Sequence, residues 1–548
     1  MKLGQAFPEM ITFGKRRTRH FFSEDSFPVE NSSFWRILVF PLILICGFFL
    51  LGARAFDLMI VRGAQYRELS EENRIREIPV AAPRGVIYDR NGVPLVRNVP
   101  GSNSSNQRDL TREYIYQEIT AHLLGFLGEA SQEEIESKKL EVKMGEWVGK
   151  MGVEQTYDQF LRGTPGKELV ETDAFESPRR TLGRVAPRLG ENLKLTLDLS
   201  LQKIAASELS GKEGAIVVSD PENGEILALY SSPSFNPNIF SDQLVTNQQE
   251  EIEKLLNEPS KPLFNRAISG SYPPGSTFKI ITAAAGLEEG KIDKDTKIED
   301  IGIIFVGPYK FPNWYFQGYG RKEGFLDLVG AMRRSNDIFF YRVAEMVGVN
   351  KLREWAKKFG LGSTLGVDIM GETQGLIPDD SWKRENIGEG WYLGDTYHLG
   401  IGQGYLLTTP LQVNFWTNVI ANGGKLCRPH LSSRNLSDLS NLCKDLDLKP
   451  ETVTLIREGM KEACSPGGTG WPLFKFKVQS SKTRKFQLGV KPGRRNMETR
   501  PGALMLGLRY LLPPSPRLRR ASPKYQSRFW LKVGEKEVML PPQSPKRF

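Results

Sequence analysis

The sequence predicts an α+β protein that carries one membrane-spanning helix near its start. Three observations lead to this prediction. Residues 37–53 (ILVFPLILICGFFLLGA) form a run of 17 residues without a charge. Two segments, Val80–Leu95 and Gly214–Tyr230, contain apolar stretches joined by tight turns and have the form of β-hairpins. Apolar helical runs such as Ile280–Leu287 follow these strands, an order typical of helices packed on an antiparallel sheet.

The apolar run has the length of a membrane helix, because 17 residues at about 1.5 Å each just cross a bilayer core. Lys15, Arg16, Arg17 and Arg19 precede it, so the positive-inside rule predicts that the N-terminus stays in the cytoplasm. We predict a cytoplasmic tail at 1–33, an anchor at 34–56 and an exported remainder. A cleaved signal peptide is the alternative, but the apolar run exceeds a typical signal sequence.

Composition and charge exclude several classes of function. The net charge is +10, but Lys and Arg outnumber Asp and Glu by 17 to 3 in residues 481–548. The rest of the chain is therefore slightly acidic, which argues against a nucleic-acid binder. The four cysteines form no CxxC pair and there are only four histidines, so the composition predicts neither a zinc or His-rich metal site nor a thioredoxin-type redox motif.

The exported part divides near Leu189 and Gly190 into a small β-rich domain (57–189) and a larger domain (190–480). In the small domain, the Asn91-Gly92 pair predicts a hairpin turn, because both positions tolerate positive φ. The stretches 114–128 and 131–142 are predicted to be helical.

The main chemical signal is Ser276 followed by Lys279 at the start of a predicted helix. The preceding Pro273-Pro274-Gly275 ends any earlier element, and Lys279 lies one turn after Ser276 on the same face. A serine becomes a nucleophile when a base takes its proton, and a desolvated lysine can be that base. Alternatively, the serine is only an N-cap, which is ordinary helix design.

A second serine motif, Ser335-Asn336-Asp337, lies between two further predicted helices. Its hydroxyl is suited to relay a proton between a lysine and a leaving group. A simple N-cap formed by Ser335 or Asp337 is the alternative interpretation.

Together these residues resemble the class B penicillin-binding proteins, in which S-x-x-K, S-D-N and K-T-G motifs occur in this order. The similarity extends over roughly residues 34–470. It includes further matching segments, which are Arg84–Gly92, Gly152–Glu154, Leu161–Gly163, Thr196–Asp198, Asp220–Pro221, Gly402–Gly404, Thr408–Gln412 and Ala421–Gly424. Tyr272–Gly275, Asp337 and Trp314 favour the elongation-type members over the division-type members.

The resemblance implies a peptidoglycan D,D-transpeptidase of cell-wall elongation, anchored in the cytoplasmic (inner) membrane. Ser276 would form an acyl-enzyme with a stem peptide, Lys279 would act as base, and Ser335 with Asp337 would relay protons. Substrate-binding positions carried over from the family are Gly275, Trp314, Gly402, Gln403 and Gly404. β-Lactams would acylate the same serine, and a membrane glycosyltransferase of the elongation machinery would be a partner. The resemblance implies no metal and no cofactor.

The family's third motif, Lys-Thr-Gly, is missing from the sequence as written, and Lys482-Thr483-Arg484 is the nearest string. In an alternative reading frame, Gly489–Arg495 permits Cys-Lys-Thr-Gly-Thr-Ala, and two later segments also permit family-like strings. We hypothesise that 481–548 is a frame-shifted tail that replaces the closing strands. The alternatives are a catalytically impaired or non-catalytic membrane scaffold, and a β-lactamase or antibiotic sensor, which the segment Arg84–Gly92 disfavours.

Overall fold

The computed structural model describes residues 34–66, 75–100, 110–136, 142, 144–172, 178–241, 247–432, 434 and 442–471. The described residues fall into two compact units. One contains residues up to 78 together with 168–183, and the other contains 79–167 and everything from 184 onward. The predicted tail beyond residue 480, its alternative frame and the closing strands lie outside the described residues.

The first unit contains the predicted apolar helix and most of a small sheet. Helix α1 (Phe34–Phe56) includes Pro41 and continues as a π-helical turn, Asp57–Val61. It is the single helix among the described residues that is long and apolar enough to cross a membrane. The sheet has the order β1 (Ile75–Val80), β7 (Gly166–Thr172) and β8 (Pro178–Val185).

The second unit begins with a four-stranded sheet in the order β4-β3-β2-β9. Its strands are β2 (Ile87–Tyr88), β3 (Pro94–Pro100), β4 (Leu110–Tyr114) and β9 (Leu193–Lys194). The hairpin predicted at Asn91-Gly92 is confirmed, with Gly92 at φ +83°. The Asp89 carboxylate stabilises this turn by accepting from the amides of Asn91 and Val93, both at 2.8 Å.

A buried ion cluster joins the strand region to two short helices in this unit. Arg84 Nη2 donates to Glu154 Oε2 at 2.9 Å and to Asp158 Oδ1 at 2.8 Å, and Arg112 Nε donates to Glu154 Oε1 at 2.7 Å. Burial alone would raise the pKa of Glu154, but Arg112 and Arg84 outweigh it and lower this pKa. Through this cluster, the segment that begins at Arg84 is held against the segment that begins at Gly152.

The prediction of a continuous helix over 114–128 was wrong. Tyr114 ends strand β4, and a 3₁₀ turn (Gln117–Ile119), helix α2 (Ala121–Leu124) and strand β5 (Leu127–Glu129) follow. Pairing of β4 with β3, and hydrogen bonds between Asn238 and the Tyr114 backbone, override the local helical pattern. Of the second predicted helix, α3 (Gln132–Glu136) is present among the described residues.

The part of the second unit that follows β9 contains the predicted hairpin of β10 (Gly214–Ser219) and β11 (Ile226–Ser232). Helix α6 (Leu199–Glu208) packs on β11 and helix α16 (Pro410–Ala421) packs on β10, so helices cover an antiparallel pair. Helix α9 (Lys279–Glu288) lies in the interior of this part, because all its residues from Lys279 to Leu287 are buried.

The remaining elements surround this core. The helices are α4 (Gly152–Thr156), α5 (Asp158–Leu161), α7 (Asn238–Ser241), α8 (Gln248–Asn257), α10 (Trp314–Tyr319), α11 (Leu328–Arg334), α12 (Asp337–Val347), α13 (Val349–Lys358), α14 (Asp380–Ile387), α15 (Leu393–Gly400) and α17 (Pro450–Ala463). The strands are β6 (Trp147–Gly149), β12 (Ile298–Asp300), β13 (Ile303–Val306), β14 (Tyr309–Pro312), β15 (Gly324–Leu326), β16 (Lys425–Cys427) and β17 (Cys443–Asp445). A disulfide joins Cys427 to Cys443, which face each other across β16 and β17.

Candidate active site

Ser276 lies in a 3₁₀ turn, Gly275–Phe278, that leads directly into α9. Gly275 has φ +61°, a conformation that favours glycine, and its amide donates to the Gly402 carbonyl at 2.8 Å. In a 3₁₀ turn, residues three apart eclipse each other. The local geometry therefore places Lys279 over Ser276, and both side chains are buried at the same cavity.

The Gly402-Gln403-Gly404 segment packs against the turn that carries Ser276. Gly402 has φ +73°, and a Cβ atom there would lie 2.0 Å from the Gly275 carbonyl oxygen. The Gln403 amide donates to the His398 carbonyl at 2.8 Å, and Gly404 follows with φ +72°. The structure thus brings the segment that ends at Gly275 against the segment Gly402–Gly404, in which Gly404 is exposed.

Lys279 is the centre of the polar network. Its Nζ donates to the Ser335 carbonyl at 2.8 Å, to Ser335 Oγ at 3.1 Å and to Asp337 Oδ1 at 2.7 Å. The side chain of Lys279 is only 3% exposed, so these partners replace the water that an ammonium loses on burial. Lys279 of the first predicted motif therefore contacts Ser335 and Asp337 of the second, which lies more than fifty residues away in sequence.

Asp337 is also held by the first residue of α10 and the residue before it. Its Oδ2 accepts from the Trp314 amide at 2.9 Å, and its own amide donates to Asn313 Oδ1 at 3.1 Å. The Trp314 indole donates to the Arg334 carbonyl at 3.0 Å. The structure thus ties Trp314 to the motif through its backbone and indole N–H. The proposed contact of Trp314 with substrate remains a prediction.

Ser335 connects α11 to α12 in a left-handed conformation, with φ +50°. Its amide donates to the Met332 carbonyl at 3.1 Å, and the Asn336 amide donates to the Ala331 carbonyl at 2.9 Å, which ends α11. A small cavity is lined by Ser276, Lys279, Ser335 and four apolar residues, which are Ile280, Met332, Met460 and Ala463. The three polar residues therefore converge on one space.

Two titratable side chains packed around the site have pKa values shifted by burial. Burial lowers the pKa of His398, the histidine nearest the Gly402 segment in sequence, which keeps its imidazole neutral. Burial, with a smaller contribution from the Asp337 charge, raises the pKa of Tyr341 well above its ordinary value. Among the described residues, no group of three or more His, Cys, Asp or Glu side chains is arranged to hold a metal ion.

Sequence reasoning missed the residues that support Asp337. Asn313 is fully buried and donates from Nδ2 to Asp300 Oδ2 at 2.9 Å, while its Oδ1 accepts from Asp337. Asp300 also accepts from the amides of Gly302 and Glu323. No motif identifies these residues, because their role depends on long-range contacts. The segment expected to carry the third motif lies outside the described part of the chain.

Comparison with known proteins gives matches in two regions of the chain that follow helix α1. A family model described as the penicillin binding protein transpeptidase domain matches residues 214–484. A second, described as the penicillin-binding protein dimerisation domain, matches residues 102–195.

Curated relatives include two enzymes named peptidoglycan D,D-transpeptidase MrdA. The one from Acinetobacter baumannii is 33% identical over 461 residues, which covers 71% of this chain and 67% of the relative. The one from Escherichia coli K12 is 32% identical over 472 residues, which covers 72% of this chain and 73% of the relative. These matches give no support to the scaffold alternative.

Solved structures show the same similarity in three dimensions. Penicillin-binding protein 2 of Helicobacter pylori, solved in complex with MreC, matches with a TM-score of 0.64 and 28% identity, covering 74% of this chain and 87% of the other. Penicillin-binding protein 2 of Pseudomonas aeruginosa, in complex with WCK 5153, matches with a TM-score of 0.61 and 32% identity, covering 71% and 81%.

Proposed function

Because this chain belongs to the penicillin-binding protein transpeptidases and is a peptidoglycan D,D-transpeptidase of cell-wall elongation, we propose that Ser276 is the nucleophile of its acyl transfer. Lys279 is the base and Ser335 relays the proton. The position of Lys279 carries this assignment. Lys279 lies one turn after Ser276, and its Nζ contacts both Ser335 Oγ and Asp337 Oδ1.

The reaction proceeds in two acyl transfers. Ser276 Oγ attacks the carbonyl of the penultimate D-alanine of a donor stem peptide, and its proton passes to Lys279. The proton then reaches the departing D-alanine amine through the Ser335 hydroxyl. An amine of an acceptor strand attacks the acyl-enzyme, forms the cross-link and releases Ser276. Splitting the reaction through a covalent intermediate replaces one difficult step by two easier steps.

Asp337 keeps Lys279 in place during these steps. An ammonium paired with a carboxylate at 2.7 Å is held in one position, so its nitrogen stays close to Ser335 Oγ. The backbone at Gly275, Gly402, Gln403 and Gly404, together with Trp314, forms the predicted walls of the substrate site. Penicillin, whose amide is part of a strained ring, acylates the same serine and forms a slowly hydrolysed adduct.

Helix α1 is proposed to anchor the enzyme in the cytoplasmic membrane, with the N-terminus inside and the exported domains outside. Four basic residues precede the helix, and its described surface is exposed throughout. The Cys427–Cys443 disulfide supports an exported location, because disulfides persist in oxidising compartments.

Partners follow from relatives of this chain. The H. pylori relative is solved with MreC, and another similar structure is of a peptidoglycan synthase complex that coordinates polymerization and crosslinking. We propose that this chain works beside a membrane glycosyltransferase that supplies nascent glycan strands.

Covalent labelling tests the assignment of Ser276. The full chain in detergent is incubated with fluorescent penicillin, and the labelled peptide is identified by mass spectrometry. We expect labelling at Ser276, abolished in Ser276→Ala and retained in Ser260→Ala, a matched change at an exposed serine hydroxyl. Labelling that persists in Ser276→Ala would overturn the assignment.

A further inference from the structure

The backbone at Ser335 is in a conformation that non-glycine residues rarely adopt, with φ +50° and a residue exposure of 2%. Such residues persist where the surrounding structure holds them, and they cluster at functional sites. The hydroxyl of Ser335 lies 3.1 Å from Lys279 Nζ only as long as this conformation is maintained. The residues on both sides of Ser335 therefore need fixed positions.

One carboxylate contacts both neighbours of Ser335. Glu323 Oε1 accepts from Arg334 Nε, and Glu323 Oε2 accepts from Asn336 Nδ2 at 3.1 Å. The side chain of Glu323 is only 8% exposed, so both interactions are shielded from water. Asn336 is fixed at its other end, because its Oδ1 accepts from the Phe339 amide at 2.9 Å and caps α12.

Glu323 and Arg334 are themselves anchored. The Glu323 amide donates to Asp300 Oδ2 at 3.0 Å. The guanidinium of Arg334 lies over the Tyr315 ring at 4.9 Å, and its Nη1 donates to the Gly467 carbonyl at 2.6 Å. Glu323 thus joins a buried support to the two residues that flank Ser335, although it has no contact with Ser276 or Lys279 among the interactions described.

We propose that Glu323 is a positioning residue that holds the Ser335 hydroxyl beside Lys279. This inference rests on the proposed function of Ser335 as a proton relay. Because the relay acts in the transition state, loss of the Glu323 interactions lowers the rate constant of acylation more than the affinity for penicillin. Substitutions at this position therefore separate chemistry from binding.

The test replaces the Glu323 carboxylate by an amide, and a second substitution at Asn336 is designed to restore the lost hydrogen bond. In E323Q, the new amide group places an N–H donor against either Arg334 or Asn336, both of which are donors here. In the double variant E323Q/N336D, the amide donates to the new carboxylate, and the other oxygen of that carboxylate still caps α12. The matched control is E345Q, since Glu345 also accepts from an arginine, Arg342, and from a second side chain.

Stopped-flow labelling of the full chain with fluorescent penicillin gives the dissociation constant and the acylation rate constant separately. We expect E323Q to lower the acylation rate constant about tenfold to a hundredfold, as small misplacements of reacting groups do, with the dissociation constant nearly unchanged. The double variant recovers most of the loss, and E345Q behaves as wild type. An unchanged rate constant in E323Q, or a loss that the double variant does not reverse, overturns the proposal.

If the proposed function itself is wrong, the wild-type protein will not be labelled at Ser276. Hydrogen exchange at the amides from Ser335 to Phe339 then decides the positioning role. Faster exchange in E323Q, reversed in the double variant and absent in E345Q, supports the role of Glu323. Equal exchange in all variants overturns it.

Discussion

Gly275 and Gly402 contact each other through their backbones, with the Gly275 amide 2.8 Å from the Gly402 carbonyl oxygen. Both have positive φ, and position 402 has no room for a side chain. The contact holds the turn that carries Ser276, and it uses none of the partners of Lys279. The position of the proposed nucleophile therefore depends on two glycines that are distant in sequence.

Gly402→Ala is expected to damage both stability and acylation. The new Cβ would lie 2.0 Å from the Gly275 carbonyl oxygen, so the turn must shift. Overpacking and positive φ together cost about 2–4 kcal/mol of the free energy of unfolding. Thermal melting and penicillin labelling measure the two effects.

The control for this change is Gly423→Ala, where φ is +93° but no atom lies within 4 Å of the new Cβ. It is expected to cost about 1 kcal/mol through backbone strain alone and to leave labelling intact. Equal losses of labelling in the two variants would contradict the contact between Gly402 and Gly275 as the cause.

Asp337→Asn is expected to lower the acylation rate constant about tenfold or more. The Asp337 carboxylate pairs with Lys279 Nζ at 2.7 Å, so its removal leaves the nitrogen less firmly held beside Ser335 Oγ. Rates of penicillin labelling at neutral pH measure the loss.

Asp395→Asn is the matched control for Asp337→Asn, since Asp395 Oδ2 pairs with another buried lysine, Lys383, at 2.6 Å. Its removal is expected to reduce stability and to leave the acylation rate constant unchanged. An equal loss of rate in both variants would show that the effect does not arise from the Lys279–Asp337 pair.

His122 makes stability depend on pH. Burial, followed by the nearby charge of Arg266, lowers its pKa to about 4 despite a hydrogen bond to the Pro262 carbonyl. Between this value and the ordinary value of 6.5, the unfolded chain binds more protons than the folded protein. The contribution is therefore fully present above pH 6.5 and is lost as pH falls toward 4, by at most about 3 kcal/mol.

His122→Gln is expected to flatten this part of the stability profile, because the amide can still donate to Pro262 but does not titrate. Melting temperatures of both proteins between pH 4 and 8 provide the measurement. Parallel profiles would show that His122 is not the titrating group.

The sequence predicted features that depend on local chemistry. The Asn91-Gly92 turn, the β10–β11 hairpin and the helix that begins after Ser276 follow from turn residues and apolar runs within a few positions. The Ser276–Lys279 and Ser335–Asp337 segments could be paired only through the family resemblance. Their contact through Lys279 arises from tertiary structure and is not visible in either segment alone.

Features that depend on distant partners were not predictable. The continuous helix expected over 114–128 does not form, because β4 pairs with β3 and the Tyr114 amide donates to Asn238, which lies more than a hundred residues away. The Cys427–Cys443 bond depends on the register of β16 and β17. Glu323 carries no motif at all, and its role is visible only where it contacts Arg334 and Asn336.

The missing third motif gives the last prediction. Resequencing the coding DNA between the codons of Gly470 and Arg495 is expected to find a missing or extra base, because the alternative frame at Gly489–Arg495 permits Lys-Thr-Gly-Thr-Ala. A strand with this motif binds the substrate carboxylate and contributes oxyanion-hole donors, each of which is worth about a hundredfold in rate or more. A chain re-expressed in the alternative frame should therefore take up labelled penicillin at Ser276 at least about a hundredfold faster. If the DNA confirms the present frame and the re-framed chain gains nothing, the tail is not a frame-shifted replacement of the third motif.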